Sequence, residues 1–144
     1  MTEQQARDGR RSVTMSRVGA GRFEAQNVRG GRISLGTGDS SDFTPVELLL
    51  AAIAGCSGID VDMLTARRAE PEQFDMVSAG EKVSDEDGNH LRDLEVTFTV
   101  RFPEGEGGDK AREMLPRAIE ASHDRLCTVS RTVALGTPVT LREA

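Results

Sequence analysis

The residues best suited to covalent chemistry in this sequence are its two cysteines, Cys56 and Cys127, which lie 71 positions apart. A thiolate is a nucleophile and a metal ligand, and two thiols that meet in space can form a redox pair. Their spacing fits neither a dense disulfide framework nor a CxxC zinc motif. Free cysteine is also among the most buried residue types, so a small buried residue is the structural alternative for Cys56.

The two histidines are weaker candidates for chemistry. His123 lies four residues before Cys127, so on one helix the two side chains would share a face and could form a Cys–His pair. A surface histidine near a helix end is the alternative. A zinc site from both cysteines, His90 and His123 is conceivable, but His90 falls in an apparent hairpin. The glycines of "GGRISLGTG" lack the spacing and the lysine of a phosphate-binding loop and indicate turns.

Charge and composition exclude some classes of protein. The net charge is −6 with a pI near 5.0, and the basic residues are scattered, so we expect no nucleic-acid partner. The hydrophobic content is 37%, with five Phe and neither Trp nor Tyr. The core must therefore consist of aliphatic residues, which leaves room for an oligomer that completes the core between chains.

The ends and the apolar runs indicate where the protein works. The N-terminal "MTEQQARDGRRS" is polar and lacks the apolar core of a signal peptide. The longest apolar run, residues 48–54, falls far short of the roughly 20 residues that span a bilayer. We therefore predict a cytoplasmic protein without a membrane segment, with a flexible tail over residues 1–11 and a single domain over residues 12–144.

A central helix has the best-defined start in the chain. "TPVE" places Thr44 at the N-cap, Pro45 at the first helical position and Glu47 at the third, which combines a capping box with the preferred site for proline. The helix is predicted to run to about Arg68. Its first half is apolar on all sides, which is typical of a helix buried all round.

The remaining pattern predicts strands and shorter helices. Strands are expected in residues 12–19, 22–28, 30–38, 73–84 and 91–102, and finally in 137–143. The last of the long strands alternates cleanly, with its buried face formed by Leu94, Val96, Phe98, Val100 and Phe102. Loops are expected in residues 36–43 and 103–108, a helix in 109–126 with a kink or late start at Pro116, and a short helix or turn from Cys127. The order predicts an α+β fold, with the central helix against mostly antiparallel sheet.

Two motifs resemble the OsmC/Ohr family, the osmotically inducible protein C and organic hydroperoxide resistance proteins. They are "TPVELLLAAIAGCSGIDV" and, further on, "CTVSRTV…GTPV". The "GCSGIDV" version is closest to the general OsmC-like branch. The resemblance covers roughly residues 12–142 and implies an intertwined homodimer with active sites at the interface, each central helix being wrapped by sheet from both chains.

The resemblance also implies roles for individual residues. Cys56 matches the peroxidatic position and Cys127 the resolving one, and an Arg and a Glu assist the first thiol. For the arginine we favour Arg22 over Arg17 or Arg32, with a solvated arginine at a strand end as the alternative.

The helper glutamate is where the sequence departs from the Ohr branch. The family position directly after the proline is Val46, and Glu47 comes one residue later. Nine residues separate Glu47 from Cys56, about 900° on a continuous helix, which places them on opposite faces. Glu47 also has a structural role in the capping box. We keep it as a candidate and expect the capping role.

The expected function is a thiol-dependent peroxidase that reduces organic hydroperoxides, with a dithiol reductant and neither cofactor nor metal. An apolar pocket raises a thiol pKa, so Cys56 needs a cation or hydrogen-bond donors to react as a thiolate. The alternative is a non-enzymatic OsmC-like dimer that binds a small apolar ligand or senses redox state, which the change to Val46 favours. A Cys56 pKa at or above the ordinary thiol value supports binding, and a strongly lowered one supports catalysis.

Overall fold

The structure is a computed structural model that describes residues 9–144. Residues 1–8 of the predicted N-terminal tail lie outside the described residues. The described chain divides into two compact units, with the boundary after Leu48. Each unit is described by itself, and one domain over residues 12–144 stays a prediction.

The first unit contains a small antiparallel sheet in the order β1-β2-β3. Its strands are β1 (Thr14–Gly19), β2 (Arg22–Gln26) and β3 (Arg32–Leu35), as the sequence predicts. Gly21 adopts a φ of 65° in the turn between the first two strands, a conformation that glycine reaches without strain. An irregular segment leads from this sheet to the central helix.

The central helix, α1 (Pro45–Thr65), crosses from the first unit into the second. The predicted capping box forms: the Thr44 N–H donates to Glu47 Oε1 at 2.8 Å, and the Glu47 N–H donates to Thr44 Oγ1 at 3.2 Å. These bonds and the proline at the first position fix where the helix begins. It ends three residues before the predicted Arg68, whose guanidinium donates to the Leu64 carbonyl at 3.2 Å.

The first half of α1 is less buried than expected, since Val46 and Leu49 are 41% and 39% exposed. Within the described chain the helix buries one face, through Ile53, Ala54, Gly58, Val61 and Thr65. In its second half, Ile59 and Met63 remain 63% and 61% exposed. By length and composition alone α1 could also cross a membrane, since an 18-residue window of it has a mean hydropathy of 1.6. Of that window, 28% is buried within the chain. The apolar surface of this helix exceeds what the chain itself covers.

The sheet of the second unit is a long hairpin of β4 (Gln73–Asp85) and β5 (Gly88–Arg101). The turn between them uses the predicted Asp-Gly step, with Gly88 at a φ of 92°. The predicted alternation of β5 is confirmed from Val96 to Val100, where Val96, Phe98 and Val100 are partly buried and the residues between them are exposed. Leu94, predicted on the same buried face, is 37% exposed. Phe98 packs edge-on against Phe74 of β4, with ring centroids 6.1 Å apart.

Helix α2 (Glu106–Ala121) begins earlier than the sequence indicates and runs through Pro116. The predicted loop is therefore confined to residues 103–105, and the predicted late start at the proline is wrong. The backbone packs closely at the start of this helix, where a Cβ on Gly108 would collide with the Pro103 carbonyl oxygen. The helix buries Ala111 and Ala118 and continues through the proline, which has no backbone N–H to donate.

A π-helical turn (Ser122–Leu126) follows α2 directly, and the short helix α3 (Thr128–Ala134) comes after it. The turn closes through the Cys127 N–H, which donates to the Ser122 carbonyl five residues earlier at 2.9 Å. The final strand predicted over residues 137–143 is wrong, since no strand forms there in the described chain. A strand needs a neighbouring strand for its backbone hydrogen bonds, and in the described chain no backbone pairing reaches the residues after Thr137.

Candidate functional site

The structure brings Cys56 and Cys127 together in the second unit. Their Sγ atoms and a carboxylate oxygen of Asp60 all lie within 4.8 Å of one another. Cys56 and Asp60 are four residues apart on α1 and so lie on one face of it. Cys127 follows the π-helical turn and is the N-cap of α3. Both cysteines are free thiols.

Cys127 is the more enclosed thiol, with no exposed surface. Ser57 Oγ donates to its Sγ at 3.4 Å, and the Ser130 N–H donates to it at 3.3 Å. Its Sγ also lies 3.2 Å from Ser130 Oγ. Burial opposes the thiolate, but the hydrogen bonds from Ser130, Ser57 and the Cys56 thiol outweigh it and lower the pKa of Cys127.

Cys56 is partly exposed, and its surroundings act in the opposite direction. Burial raises the pKa of the Cys56 thiol, and the neighbouring Cys127 and Asp60 charges raise it further. A hydrogen bond from the Val129 N–H partly compensates. The pair is therefore asymmetric, with the favoured thiolate on Cys127 and the proton on Cys56.

Asp60 is held in place from a second element. Ser122 Oγ donates to Asp60 Oδ2 at 2.9 Å, and Ser122 is only 1% exposed. Ser122 is the first residue of the π-helical turn that also positions Cys127. The same turn thus fixes one thiol and one carboxylate of the site.

An apolar cavity of about 340 Å³ lies beside the serines that contact Cys127, and neither cysteine is part of its wall. Its wall includes Ser57 and Ser130, the two hydroxyl partners of Cys127. The other lining residues are mostly apolar and come from α1, β5, α2 and α3: Ile53, Leu94, Val96, Phe98, Ile119, Val133 and Ala134. Glu95 and His123 add the titratable groups of the lining. A volume of this size lies at the lower end of the range for small-molecule pockets.

The histidine candidates do not join the thiols. His123 Nδ1 lies 2.9 Å from Asp124 Oδ1, and its side chain is 79% exposed. The hypothesis of a His123–Cys127 pair fails because the helical turn ends at Leu126 and the backbone of Cys127 is extended, so the two residues do not share one helix. His90 instead contacts the Gly88 carbonyl oxygen at 3.1 Å in the hairpin. A zinc site containing both histidines is therefore wrong.

The two predicted helper residues lie in the first unit. Arg22 is the exposed first residue of β2, and Glu47 forms the capping box of α1. Their roles at the thiols stay predictions. Sequence reasoning missed Ser57, Asp60, Ser122 and Ser130. Of these, Asp60 had a usable signal, because its spacing of four residues from Cys56 on a helix indicates a shared face.

The comparisons with known proteins agree with this architecture. A sequence model of the family described as OsmC-like protein matches residues 36–142. The chain belongs to the OsmC-like family. It is 32% identical over 130 residues to an uncharacterized protein of Mycobacterium tuberculosis, a match that covers 88% of this chain and 91% of the relative.

Solved structures show the same fold. A hypothetical protein from Aquifex aeolicus superimposes with a TM-score of 0.70 at 22% identity, covering 89% of each chain. An OsmC-like protein from Mycoplasma pneumoniae gives 0.68 at 18% identity, covering 88% of this chain and 89% of that one. The organic hydroperoxide resistance protein OhrB of Bacillus subtilis gives 0.53 at 17% identity, covering 85% and 90%. The α+β OsmC-like fold predicted from the two motifs is therefore confirmed.

Proposed function

We propose that this OsmC-like protein is a thiol-dependent peroxidase that reduces organic hydroperoxides with Cys56 and Cys127. The observation that carries the proposal is the placement of two free thiols within 4.8 Å of each other. An apolar cavity of about 340 Å³, whose wall includes the two serines that contact Cys127, supports it. The name of the OhrB relative, an organic hydroperoxide resistance protein, supports the same class of substrate.

Accessibility assigns the order of the two thiols in this mechanism. Cys127 has no exposed surface, whereas Cys56 is partly exposed, so a peroxide reaches Cys56 first. Cys56 passes its proton to Cys127, and its thiolate attacks the distal peroxide oxygen. The O–O bond breaks, the electron pair leaves with the alkoxide, and Cys56 becomes a sulfenic acid. The alkoxide takes the proton from Cys127 and leaves as the alcohol.

Disulfide formation completes the reaction. The regenerated Cys127 thiolate attacks the sulfenic sulfur, the S–O bond breaks, and hydroxide leaves and is protonated to water. The hydrogen bonds from Ser57 and Ser130 stabilise the attacking thiolate. A dithiol reductant then returns both cysteines to thiols by exchange. We place the protein in the cytoplasm, whose thiol pools keep such a pair reduced.

The cavity selects the substrate class in this proposal. Its wall is mostly aliphatic and aromatic, so it favours the organic part of an alkyl or aryl hydroperoxide over hydrogen peroxide. The hydroxyls of Ser57 and Ser130 are on the side of the cavity next to the thiols. They can orient the peroxide group by hydrogen bonds.

Mass spectrometry of the intact, reduced protein after one equivalent of cumene hydroperoxide tests the proposal. The wild-type protein is expected to lose the mass of two hydrogens as the disulfide forms. Cys56→Ser should not consume peroxide. Cys127→Ser should gain one oxygen and then further oxygens, because no second thiol intercepts the sulfenic acid. An unchanged wild-type mass, with consumption at the background rate for several organic hydroperoxides and dithiol reductants, contradicts it.

The activating cation is proposed to be Arg22. The pKa of Cys56 is raised by burial, so a cation near its sulfur would speed the first step. Arg22→Gln should then slow peroxide consumption at least several-fold at neutral pH, and raising the pH should restore part of the rate. Arg17→Gln, on the neighbouring strand β1, is the matched control. Equal rates for the two variants would remove Arg22 from the mechanism.

One observation favours a second function, a non-enzymatic dimer that binds an apolar ligand or senses redox state. The raised pKa of Cys56 keeps this thiol protonated near neutral pH. Such a protein would bind apolar molecules in the cavity without consuming hydroperoxide. Fluorescence titration with an apolar dye, repeated after the peroxide treatment above, separates the two functions. Binding without any change of protein mass supports the second one.

We also propose that the protein works as a homodimer with the site at the interface. Leu49, Ala52, Ile59 and Met63 are exposed along one stripe of α1 at spacings of three, seven and four residues, and the partly exposed Cys56 falls on the same stripe. A second copy over this stripe would bury apolar surface beside the site. The two aspartates of this helix, Asp60 and Asp62, argue against burial of the helix in a lipid bilayer.

A further inference from the structure

The two thiols and the Asp60 carboxylate at the centre of the site could together bind a metal ion, a role that the peroxidase mechanism does not require. The Sγ atoms of Cys56 and Cys127 and a carboxylate oxygen of Asp60 lie within 4.8 Å of one another. Two thiolates and a carboxylate are ligands that Zn²⁺ takes readily. Mg²⁺ and Ca²⁺ prefer shells of oxygen atoms, which two sulfurs do not supply.

The distances fit a tetrahedral ion. With Zn–S bonds of about 2.3 Å and Zn–O bonds of about 2.0–2.2 Å, the two sulfurs and the oxygen lie roughly 3.5–3.8 Å apart. The three atoms start within 4.8 Å of one another, so small side-chain movements bring them to that spacing. Three protein ligands leave the fourth position for water or a small ligand, as in zinc sites with an open position.

Groups outside the set already orient the ligands. Ser122, which is 1% exposed, donates to Asp60 Oδ2 at 2.9 Å. Cys127 accepts from Ser57 Oγ at 3.4 Å and from the Ser130 N–H at 3.3 Å. Hydrogen bonds of this kind fix the orientation of metal ligands and are typical of built metal sites.

We propose that Cys56, Asp60 and Cys127 bind one Zn²⁺ per chain when both thiols are reduced. Binding releases the thiol protons, and the three ligands carry a total charge of −3 that the ion partly neutralises. The bound ion keeps the sulfurs apart and occupies their lone pairs. Zinc and the disulfide therefore exclude each other, and zinc protects the pair from oxidation. The proposal does not depend on peroxidase activity.

Cobalt titration of the reduced protein under anaerobic conditions tests the site. Co²⁺ substitutes for Zn²⁺, and its thiolate complexes absorb in the near ultraviolet. We expect this band to saturate at one equivalent per chain and to disappear when Zn²⁺ is added. Cys127→Ser should weaken the band. Absence of the band in the wild-type protein overturns the proposal, whatever the protein does with peroxide.

Asp60→Asn and Asp62→Asn form the matched pair that tests the carboxylate. The amide oxygen of Asp60→Asn can still accept from Ser122, so the fold is expected to persist, which circular dichroism checks. We expect zinc affinity to fall at least about tenfold in Asp60→Asn. Asp62→Asn, at an exposed position two residues further along α1, should bind like the wild type. Equal affinities in the two variants would exclude Asp60 as a ligand.

A thiol count gives an independent measurement. With one equivalent of Zn²⁺, wild-type Cys56 and Cys127 should react with a chromogenic disulfide at least tenfold more slowly than without it. The Asp60→Asn protein should show a smaller protection. An unchanged rate in the wild-type protein contradicts binding through both sulfurs.

Discussion

The two thiols differ in their immediate surroundings, and this difference gives each its proposed role. Cys127 is fully buried and accepts hydrogen bonds from Ser57 and Ser130, which lower its pKa. Cys56 is partly exposed beside Asp60, and its pKa is raised. The accessible thiol is therefore suited to meet the substrate, and the enclosed thiolate is suited to close the disulfide.

Replacing Ser130 tests the support of the resolving thiolate. Ser130→Ala removes the hydroxyl 3.2 Å from Cys127 Sγ and leaves the backbone N–H bond in place. A hydrogen bond to a charged group contributes about 1.5–3 kcal/mol, so disulfide closure should slow at least about tenfold at neutral pH. Trapping the Cys56 sulfenic acid with a dimedone reagent measures this step.

Thr128→Ala is the control for that variant, because Thr128 is an exposed residue two positions earlier in the same helix. It should close the disulfide at the wild-type rate. Equal trapping in Ser130→Ala and wild type would show that the Ser130 hydroxyl does not support the thiolate.

Only part of the site could be predicted from the sequence. The two motifs that contain Cys56 and Cys127 indicated the thiol pair through their resemblance to a family. Asp60 could have been found from its helical spacing to Cys56. Ser122 could not, because its contact with Asp60 depends on a π-helical turn, and no simple sequence pattern predicts where an α-helix takes up an extra residue.

At the scale of elements, the capping box links the start of α1 to pH. The Thr44 backbone N–H and the Thr44 hydroxyl lower the pKa of Glu47. A carboxyl group whose folded-state pKa is lowered contributes stability above its unfolded pKa, and that contribution is lost as the pH falls through the folded value. The thermal midpoint of Glu47→Gln should therefore lie below that of the wild type at neutral pH, and the gap should close toward about pH 3.

Glu70→Gln is the control for the pH series, since Glu70 is exposed and lies outside the helices and strands. Its midpoint should follow the wild type at every pH. A gap between wild type and Glu47→Gln that stays constant with pH would show that ionised Glu47 does not stabilise the cap.

Two glycines of α1 differ in what surrounds them. A Cβ on Gly55 meets nothing within 4 Å in the chain, whereas one on Gly58 would lie 2.6 Å from Met76 Cε. Alanine in a helix interior is about 0.5–1 kcal/mol more favourable than glycine. Gly55→Ala should raise the free energy of unfolding by about that amount. Gly58→Ala should gain less or lose stability, because Met76 must move.

Urea unfolding of both variants and the wild type measures this difference. Destabilisation by Gly55→Ala would mean that something outside the chain approaches α1 at this point. A second copy packed against the helix is the approach that the proposed dimer supplies.

The elements with strong local signals were predicted well, and those that depend on distant partners were not. The cap of α1, the Asp-Gly turn and the alternation of β5 follow from short-range rules. Helix α2 passes through Pro116, where the local preference of proline predicts a kink or a late start. The predicted strand over residues 137–143 does not form. A sequence pattern shows that a segment could be a strand, but not whether a neighbouring strand is there to pair with it.

At the scale of the whole molecule, the composition and the structure both indicate that the single chain leaves apolar surface of α1 unburied. The sequence is poor in aromatic residues, and α1 leaves Ile59 and Met63 more than half exposed. The sequence predicted that the first half of this helix is buried on all sides, whereas the single chain buries one face of the helix. The proposed homodimer accounts for this difference, because the second copy supplies the remaining apolar contacts.

Placing a charge on the exposed stripe tests the dimer. Ile59→Glu would bury a carboxylate against apolar groups of the second copy, so the protein should become monomeric at micromolar concentrations. Sedimentation equilibrium measures the mass in solution. Val77→Glu is the control. Met76 points to α1, so its neighbour Val77 on β4 points to the opposite face of the sheet, and Val77 is 67% exposed. A monomeric wild-type protein at tens of micromolar contradicts the dimer.

The π-helical turn makes the length of one short segment a determinant of the site. Its extra residue determines the directions in which Ser122 and Cys127 point relative to each other. Ser122 binds Asp60, and Cys127 lies beside Cys56. Deleting one residue from 123–126 would leave every side chain of the site present in the sequence. It would nevertheless rotate Cys127 by about 100° relative to Ser122. The distance along the chain between a serine and a cysteine is thus as much a part of this site as the identity of either residue.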